Sequence, residues 1–432
     1  MIYIFILLNL LWLLFYFHEK YMLFFICFFA CIFIEPLFQK LLDPTFFGNT
    51  FHVYGFARFQ TNFILIIFLV FANMFSTFYN KHNLYKIFFF CFLVIFFHIL
   101  NILFSINLVT SSIISAVSII GPILFFLLIL KIPSSFYNDE KLIVFLIHCF
   151  ICIMLSIGLG MYITNSNTKV DGDFLRSGGG IWMSNITTQI IAPFFPFLFY
   201  DKNFKYKKLI RPIAILLVGT LMVVSLSRTA FIVYLLIFLV ITFRNKSKLK
   251  YILYMPVIIF LLIFLLNYIF KMDVVSIYES RFLREGSTLD TIADDGRFTI
   301  YTESLAAIFK NPLLGVGIGN FTYVNSGGFS NSHNIFLNIL VERGLIGFIL
   351  FLYFILYFIH LNIKLKFYNK SNSDFYNLFL IGFLSYFAIG LTGNDLFIAS
   401  GFINGWGLFI LLFFLAFQIR SVSNIKKHKC NN

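Results

Sequence analysis

Charge is what this sequence has least of. Only 12% of its 432 residues are Asp, Glu, Lys or Arg, and the acidic ones number just 18 against 32 basic. A soluble domain of this length needs far more charge on its surface, so a soluble globular fold is excluded. Cysteine is also scarce. Of Cys27, Cys31, Cys91, Cys149, Cys152 and Cys430, five lie in apolar runs. The Cys149-x-x-Cys152 pair has no ligand partners near it in sequence, which leaves buried apolar thiols rather than a redox or zinc site. Nucleotide motifs are missing as well. Gly315-Val-Gly-Ile-Gly319-Asn320 has the wrong glycine spacing for a dinucleotide fingerprint, and no Gly-Lys-Ser/Thr follows it to make a P-loop. The first residues, MIYIFILLNLLWLLFYF, lack a basic leader and a small-residue cleavage site, so they read as a first span and not as a removed signal peptide. No internal repeat, low-complexity linker or soluble domain interrupts the chain.

What is present is apolar surface. Hydrophobic residues make up 60% of the chain, Phe alone fills 64 positions, and the mean hydropathy is +0.92. Repeated apolar runs near ~20 residues specify an all-α polytopic membrane protein. The runs fall at 2–17, 21–39, 61–79, 86–104, 107–130, 141–163, 181–200, 209–227, 229–243, 251–270, 335–360, 375–392 and 402–419. That is about 12–13 transmembrane helices in a single integral membrane domain, 1–432, with one large extracytoplasmic loop at 271–334. The net charge of +14 is divided among short loops and makes no continuous basic face, which excludes a nucleic-acid partner.

Those basic loops set the orientation. Segments 18–20, 81–86, 201–208, 244–250, 364–370 and 426–429 carry the Lys and Arg residues and mark the cytoplasm. Loops 40–60, 164–180, 271–334 and 393–401 then lie outside, as does the N-terminus. Between the cytoplasmic segments 201–208 and 244–250 stand about 35 mostly apolar residues, slightly short for two full crossings. Two flanks on one side require an even number of crossings, so 209–243 must turn in its middle near the outer surface. Arg228, in SLSRTA, sits at that turn. It either snorkels to headgroups or forms an outward-facing anion site.

Other polar residues gather on the same side. Arg176 and Gly178–Gly180 stand where loop 164–180 re-enters the membrane, and Asn185 and Thr187 follow just below. This is either a flexible surface loop or a place where backbone N–H groups approach a ligand. Within 271–334, Gly296–Lys310 carries Phe298, Tyr301, Leu305, Ile308 and Phe309 at helical spacing. This predicts an amphipathic helix on the outer surface, capped by Asp295 and ended by Asn311–Pro312. Arg297 falls in its first turn, where a cation gains nothing from the helix dipole. It is satisfied either by a bound anion or by Asp294 and Asp295. The Gly315–Asn320 stretch reads as a tight turn at the membrane edge. His333 and Asn334 stand immediately before the next span, and a single His there is either a cap or a base. Glu342 and Arg343 lie lower in that span. As i,i+1 neighbours on a helix they do not face each other, so each requires its own partner.

Three of these segments together resemble the O-antigen ligase and O-antigen polymerase superfamily of bacterial envelope polysaccharide assembly. They are SLSRTA around Arg228, GRFTIYTESLAAIFKNPLLGVGIGNF around Arg297 and SHNIFLNILVERGLIG around His333. The resemblance implies a fold similar to C-type membrane glycosyltransferases, in the inner membrane with the active site facing the periplasm. It implies an undecaprenyl-pyrophosphate-linked glycan donor and metal-independent, inverting transfer with no cofactor. The acceptor is a hydroxyl, on a second lipid-linked repeat unit for a polymerase or on lipid A-core for a ligase. A chain-length regulator is a further partner. Carried onto this chain, Arg228 and Arg297 bind the pyrophosphate and His333 is the general base. Arg176, Asn185, Asn334 and Glu342 are substrate-lining candidates.

The residue types suit that chemistry on their own terms. A pyrophosphate leaving group needs charge compensation, and guanidiniums are always-ionised, bidentate donors. An acceptor hydroxyl needs a base that is neutral near pH 7, which is the usual work of His. Asp294 and Asp295 are adjacent and point apart, unsuited to sharing a metal. Between polymerase and ligase, the Phe richness points to an AT-rich polysaccharide locus and favours the polymerase. The reading from a different class is a lipid-linked glycan transporter, which would place polar groups at the bilayer midplane in inverted repeats.

Overall fold

The computed structural model describes residues 2–28, 85–133, 168–171, 174–177, 184–199, 218–219, 227–244, 260, 264, 268, 297–327, 331–370, 373–391, 398–399, 402–403 and 406–430. The expected spans at 61–79 and 141–163 lie outside these residues, as do most of 251–270, the Cys149–Cys152 pair, and Asp294 and Asp295. The chain is an all-α membrane protein. To the helices are added two small antiparallel hairpins in polar loops. In the first, β1 (Thr168–Asp171) pairs with β2 (Phe174–Ser177); in the second, β3 (Ile398–Ala399) pairs with β4 (Phe402–Ile403).

The residues form two compact units: 1–45, 139–294 and 374–389 in one, 46–138, 295–373 and 390–432 in the other. In the first unit, α1 (Ile2–Phe17) precedes a short helical run at 21–28, and Trp12 packs edge-on against Phe28 with ring centroids 5.4 Å apart. Helix α2 (Ser184–Ile191) stops ahead of Pro193, because the residue before a proline is pushed out of helical geometry. The chain continues as a 3-10 turn over Phe195–Phe199. Phe195 meets Tyr234 of α3 (Arg228–Arg244) at 5.1 Å, and Phe197 meets Phe379 of α4 (Ser373–Gly390) at 5.8 Å. The Tyr234 hydroxyl donates to the Thr188 carbonyl at 2.6 Å, satisfying a polar atom buried among rings.

The second unit contains α5 (Tyr85–Leu103) and α6 (Leu108–Ser115). A π turn at Ala116–Ile120 leads into α7 (Gly121–Ile129). It also contains α8 (Arg297–Lys310), α9 (Ile335–Tyr368) and α10 (Trp406–Cys430). Two helices among the described residues, α5 and α9, are long and apolar enough to cross a membrane. Their surfaces are inverted relative to a soluble protein. Along α5, Phe89, Phe92, Phe96, Ile99 and Leu103 are exposed, whereas His98 and Asn101 are buried. On α3 of the first unit, Ile232, Leu236, Val240 and Phe243 form a similar outward stripe. Contiguous apolar faces of this size are unfavourable in water and are at home in lipid.

Helix α8 runs Arg297–Lys310, where the sequence predicts Gly296–Lys310. Its two faces differ from the predicted amphipathic pattern. Ile300 and Ala307 are buried in a cluster with Val316, Phe321 and Val341, against which Tyr301 and Ile308 pack. Phe298, Leu305 and Phe309 face outward. The five periodic apolar residues therefore divide between a core side and an exposed side, because the core-facing positions also use Ala307 and the small, back-bonded Ser304.

Candidate functional site

Residues 331–347 begin with a polar turn. Asn334 is the N-cap of α9, its Oδ1 accepting from the N–H groups of Phe336 at 3.0 Å and Leu337 at 3.1 Å. This satisfies two of the orphan donors at the helix start. His333 stands directly before it with φ +54, a left-handed conformation that costs a residue with a Cβ about 1–2 kcal/mol. Its N–H donates to Asn331 Oδ1 at 2.9 Å. The Ser332 N–H donates to Asn338 Oδ1 at 3.1 Å, and the Ser332 hydroxyl donates to the Asn334 carbonyl at 2.9 Å. Asn331, Ser332 and Asn338 are buried, and His333 is half-buried.

Two turns further on, α9 breaks. Gly344 has φ 62 and ψ −168, so the span predicted as one continuous helix is two helical segments joined at that residue. A break inside a bundle strands carbonyls on one side and N–H groups on the other. The Gly-rich turn supplies both sets of partners. Val316 and Gly317 donate to the carbonyls of Val341 at 2.9 Å and Glu342 at 3.0 Å. Leu345 and Ile346 donate back to the carbonyls of Pro312 at 2.8 Å and Leu313 at 3.2 Å. The fit demands glycine at the crossing: a Cβ on Gly315 would lie 2.5 Å from the Glu342 carbonyl carbon, and one on Gly344 would lie 2.3 Å from the Leu313 oxygen. The predicted membrane-edge turn is thus a backbone clamp on a broken helix.

Asn101 of α5 holds the clamp from the other side. Its Nδ2 donates to the carbonyls of Leu314 at 2.6 Å and Glu342 at 3.0 Å, and its Oδ1 accepts from the Ile318 N–H at 3.3 Å. Glu342 is fully buried, with Oε1 accepting from the Gly319 N–H at 3.0 Å. Its other oxygen comes within 4.0 Å of the Arg343 guanidinium. The i,i+1 spacing predicts that these two side chains do not face each other. They nevertheless approach each other immediately before the break at Gly344. Arg343 and His98 also line a mainly apolar cavity of about 180 Å³ bounded by α5, α7, α9 and α10.

The remaining candidates are placed by their backbones. Arg228 is the first residue of α3, in the first unit, with the Ser227 hydroxyl accepting from Ala230 N–H at 3.4 Å. The helix therefore starts at the residue assigned to the turn within 209–243. Arg297 is the first residue of α8, in the second unit, and α8 packs against α9 through Ile300, Ala307 and Val341. Neither helix has an acidic residue in its first turn. Arg176 lies on β2, paired with Lys169, and Asn185 lies in the first turn of α2. The chain was expected to carry no D-x-D motif, but Asp171-Gly172-Asp173 has that spacing in sequence. Among the described residues no group of three or more His, Cys, Asp or Glu could hold a metal ion.

Sequence reasoning did not find Asn101, Asn331, Ser332 and Asn338. Two signals were available: a lone Asn in the apolar FFHILNIL, and Asn334 and Asn338 one helical turn apart.

Outward apolar stripes over a polar, hydrogen-bonded interior define the class as a helical membrane protein. Residues 213–352, roughly a third of the chain, match the family model described as O-antigen ligase, a likeness that supports the O-antigen ligase/polymerase superfamily. The matched segment contains Arg228, Arg297, His333, Asn334 and the break at Gly344, whereas Arg176 and Asn185 precede it. No curated protein matches the chain. The match supports an O-antigen ligase- or polymerase-type function, suggests a glycosyltransferase-like enzyme of a bacterial membrane, and implies lipid-linked glycan substrates.

Proposed function

We propose that the protein is a polysaccharide polymerase of the inner membrane. It transfers an undecaprenyl-pyrophosphate-linked glycan to a hydroxyl of a second lipid-linked repeat unit at the periplasmic face. His333 takes the proton from that hydroxyl as its oxygen bonds to the anomeric carbon. The bond from that carbon to the pyrophosphate breaks on the opposite side, so the configuration inverts. Arg228 and Arg297 bind the departing pyrophosphate, and no metal takes part. The carrying observation is His333 itself: it lies in the family-matched segment, is half-buried, and is held in a left-handed conformation by buried side chains. Backbone strain of this kind persists where surrounding structure over-determines it, commonly at reactive positions. Support for the arginines is that each begins a helix without a first-turn carboxylate, where the helix dipole and the guanidinium both favour an anion.

The transporter reading is disfavoured by the way the α9 break is used. A transport site leaves half-helix ends facing a cavity for its cargo. Here N–H and carbonyl groups on both sides of Gly344 are occupied by residues 312–317.

Replacing Arg228 or Arg297 with Ala, at equal membrane levels, should cut polymer formation about 10- to 150-fold, the loss expected when one charge-assisted contact disappears. Lys at either position should restore only part, since it lacks the bidentate fork. A normal glycan ladder from both Ala variants would remove the pyrophosphate role. Deleting the gene separates the acceptors. Single repeat units capped on lipid A-core indicate a polymerase; bare core with accumulating lipid-linked polymer indicates a ligase.

A further inference from the structure

We infer that Asn338, together with Asn331, is a positioning residue that fixes the His333 imidazole for proton transfer. This rests on the proposed role of His333 as the base. The starting point is an excess of hydrogen bonds. A helix start needs one capping side chain, and Asn334 fills that role alone through the N–H groups of Phe336 and Leu337. Three further side chain to backbone bonds are nevertheless built around the residues before it: Asn331 to the His333 N–H, Asn338 to the Ser332 N–H, and the Ser332 hydroxyl to the Asn334 carbonyl. Asn338 is the informative member. It lies inside α9, a full turn past the cap, and is fully buried. Burying an amide is unfavourable unless its hydrogen bonds are made. Asn338 uses its acceptor on the loop backbone immediately before His333.

The consequence is that the two peptide groups on either side of Ser332, the second of which leads into His333, are tied to side chains, one from the helix and one from the loop. The left-handed backbone at His333 then has little freedom to relax. That matters for a proton acceptor, because displacing a reacting group by about 1 Å can cost about 100-fold in rate. Neither Asn touches the transferred proton; Asn331 acts through the His333 main chain and Asn338 through that of Ser332 before it.

The test uses the full-length protein in membranes, with the lipid-linked repeat unit as substrate and kcat and KM measured separately. Asn338→Leu keeps approximate volume and removes the acceptor; Asn338→Asp keeps an acceptor oxygen. Asn331→Ala removes the other tie from outside the helix, so the test does not depend on one variant folding. Asn338→Leu and Asn331→Ala should lower kcat about 30- to 100-fold, with KM within about threefold. Asn338→Asp should recover most of the loss. A purely structural role would instead reduce the amount of folded protein and leave kcat per folded molecule unchanged, which overturns the inference. So does wild-type kcat in both Asn338→Leu and Asn331→Ala. His333→Gly in the same assay keeps the two levels apart. If it is active, the base assignment fails; if it is inactive while the Asn variants are normal, only the positioning role fails.

Discussion

His333→Gly should abolish glycan transfer while leaving the protein in the membrane at its normal level, and added imidazole should restore part of the activity. Glycine is the informative replacement because of the backbone. At φ +54 alanine keeps the Cβ and its cost of about 1–2 kcal/mol, so a defect in His333→Ala mixes lost chemistry with strain. Glycine adopts this conformation freely and removes only the ring. Its N–H can still donate to Asn331, and the Asn334 cap is untouched. General-base catalysis contributes about 10²- to 10⁴-fold, which sets the size of the expected loss. A soluble imidazole diffusing into the vacated space replaces the proton acceptor without its tether, so recovery should be partial and should rise with imidazole concentration. His333→Asn makes a second arm, since Asn also tolerates the left-handed region but is no base. Transfer at the wild-type rate by both variants would show that the ring is a cap and nothing more.

The difference between Arg228 and Gly344 shows what local sequence carries and what it does not. Charge bookkeeping along 201–250 placed a turn near Arg228, and α3 starts at that residue. That rule needs only span length and flanking Lys and Arg. The position of α8 was readable for a similar reason, from apolar spacing and the Asn311–Pro312 stop. Its inward face was less so, because Ala307 and Ser304 carry no apolar signal strong enough to compete with Phe298 and Phe309. VERGLIG, by contrast, reads as one continuous helix. Nothing in those seven residues says that Pro312 and Leu313 will accept hydrogen bonds from Leu345 and Ile346. The glycines of both strands of that exchange were visible, but a glycine announces only that something comes close, not what. Asn101 is separated from its partner Glu342 by 241 residues, beyond any periodicity argument. The proposed base was marked by its family-like motif and position before an apolar run, whereas its supporting asparagines needed the hydrogen bonds to be seen.

Gly344→Ala should be the most damaging substitution outside the proposed chemistry, and it should act on folding. The added methyl would stand 2.3 Å from the Leu313 carbonyl oxygen and 2.6 Å from the Gly315 nitrogen, at a residue whose φ is +62. Both neighbours are backbone, so no side chain can swing aside. Relief requires parting the two segments, which breaks the Leu345 and Ile346 hydrogen bonds. At about 0.5–1.5 kcal/mol for each bond and about 1–2 kcal/mol for the left-handed alanine, the loss reaches about 2–5 kcal/mol, against a typical total of about 5–15. Membrane levels should fall, and the melting temperature in detergent should drop on the order of 5–10 °C. Gly315→Ala should behave alike, because its methyl would meet the Glu342–Arg343 peptide from the opposite side at 2.5–2.6 Å. The double variant distinguishes a shared clamp from two separate defects. If both substitutions open the same crossing, their combined cost should be close to that of the worse single change, not to the sum. Glu342→Gln, which keeps an oxygen for the Gly319 N–H, should be milder than Glu342→Ala, which leaves that buried donor without it. Wild-type melting for Gly344→Ala, or full additivity in the double variant, would contradict the clamp.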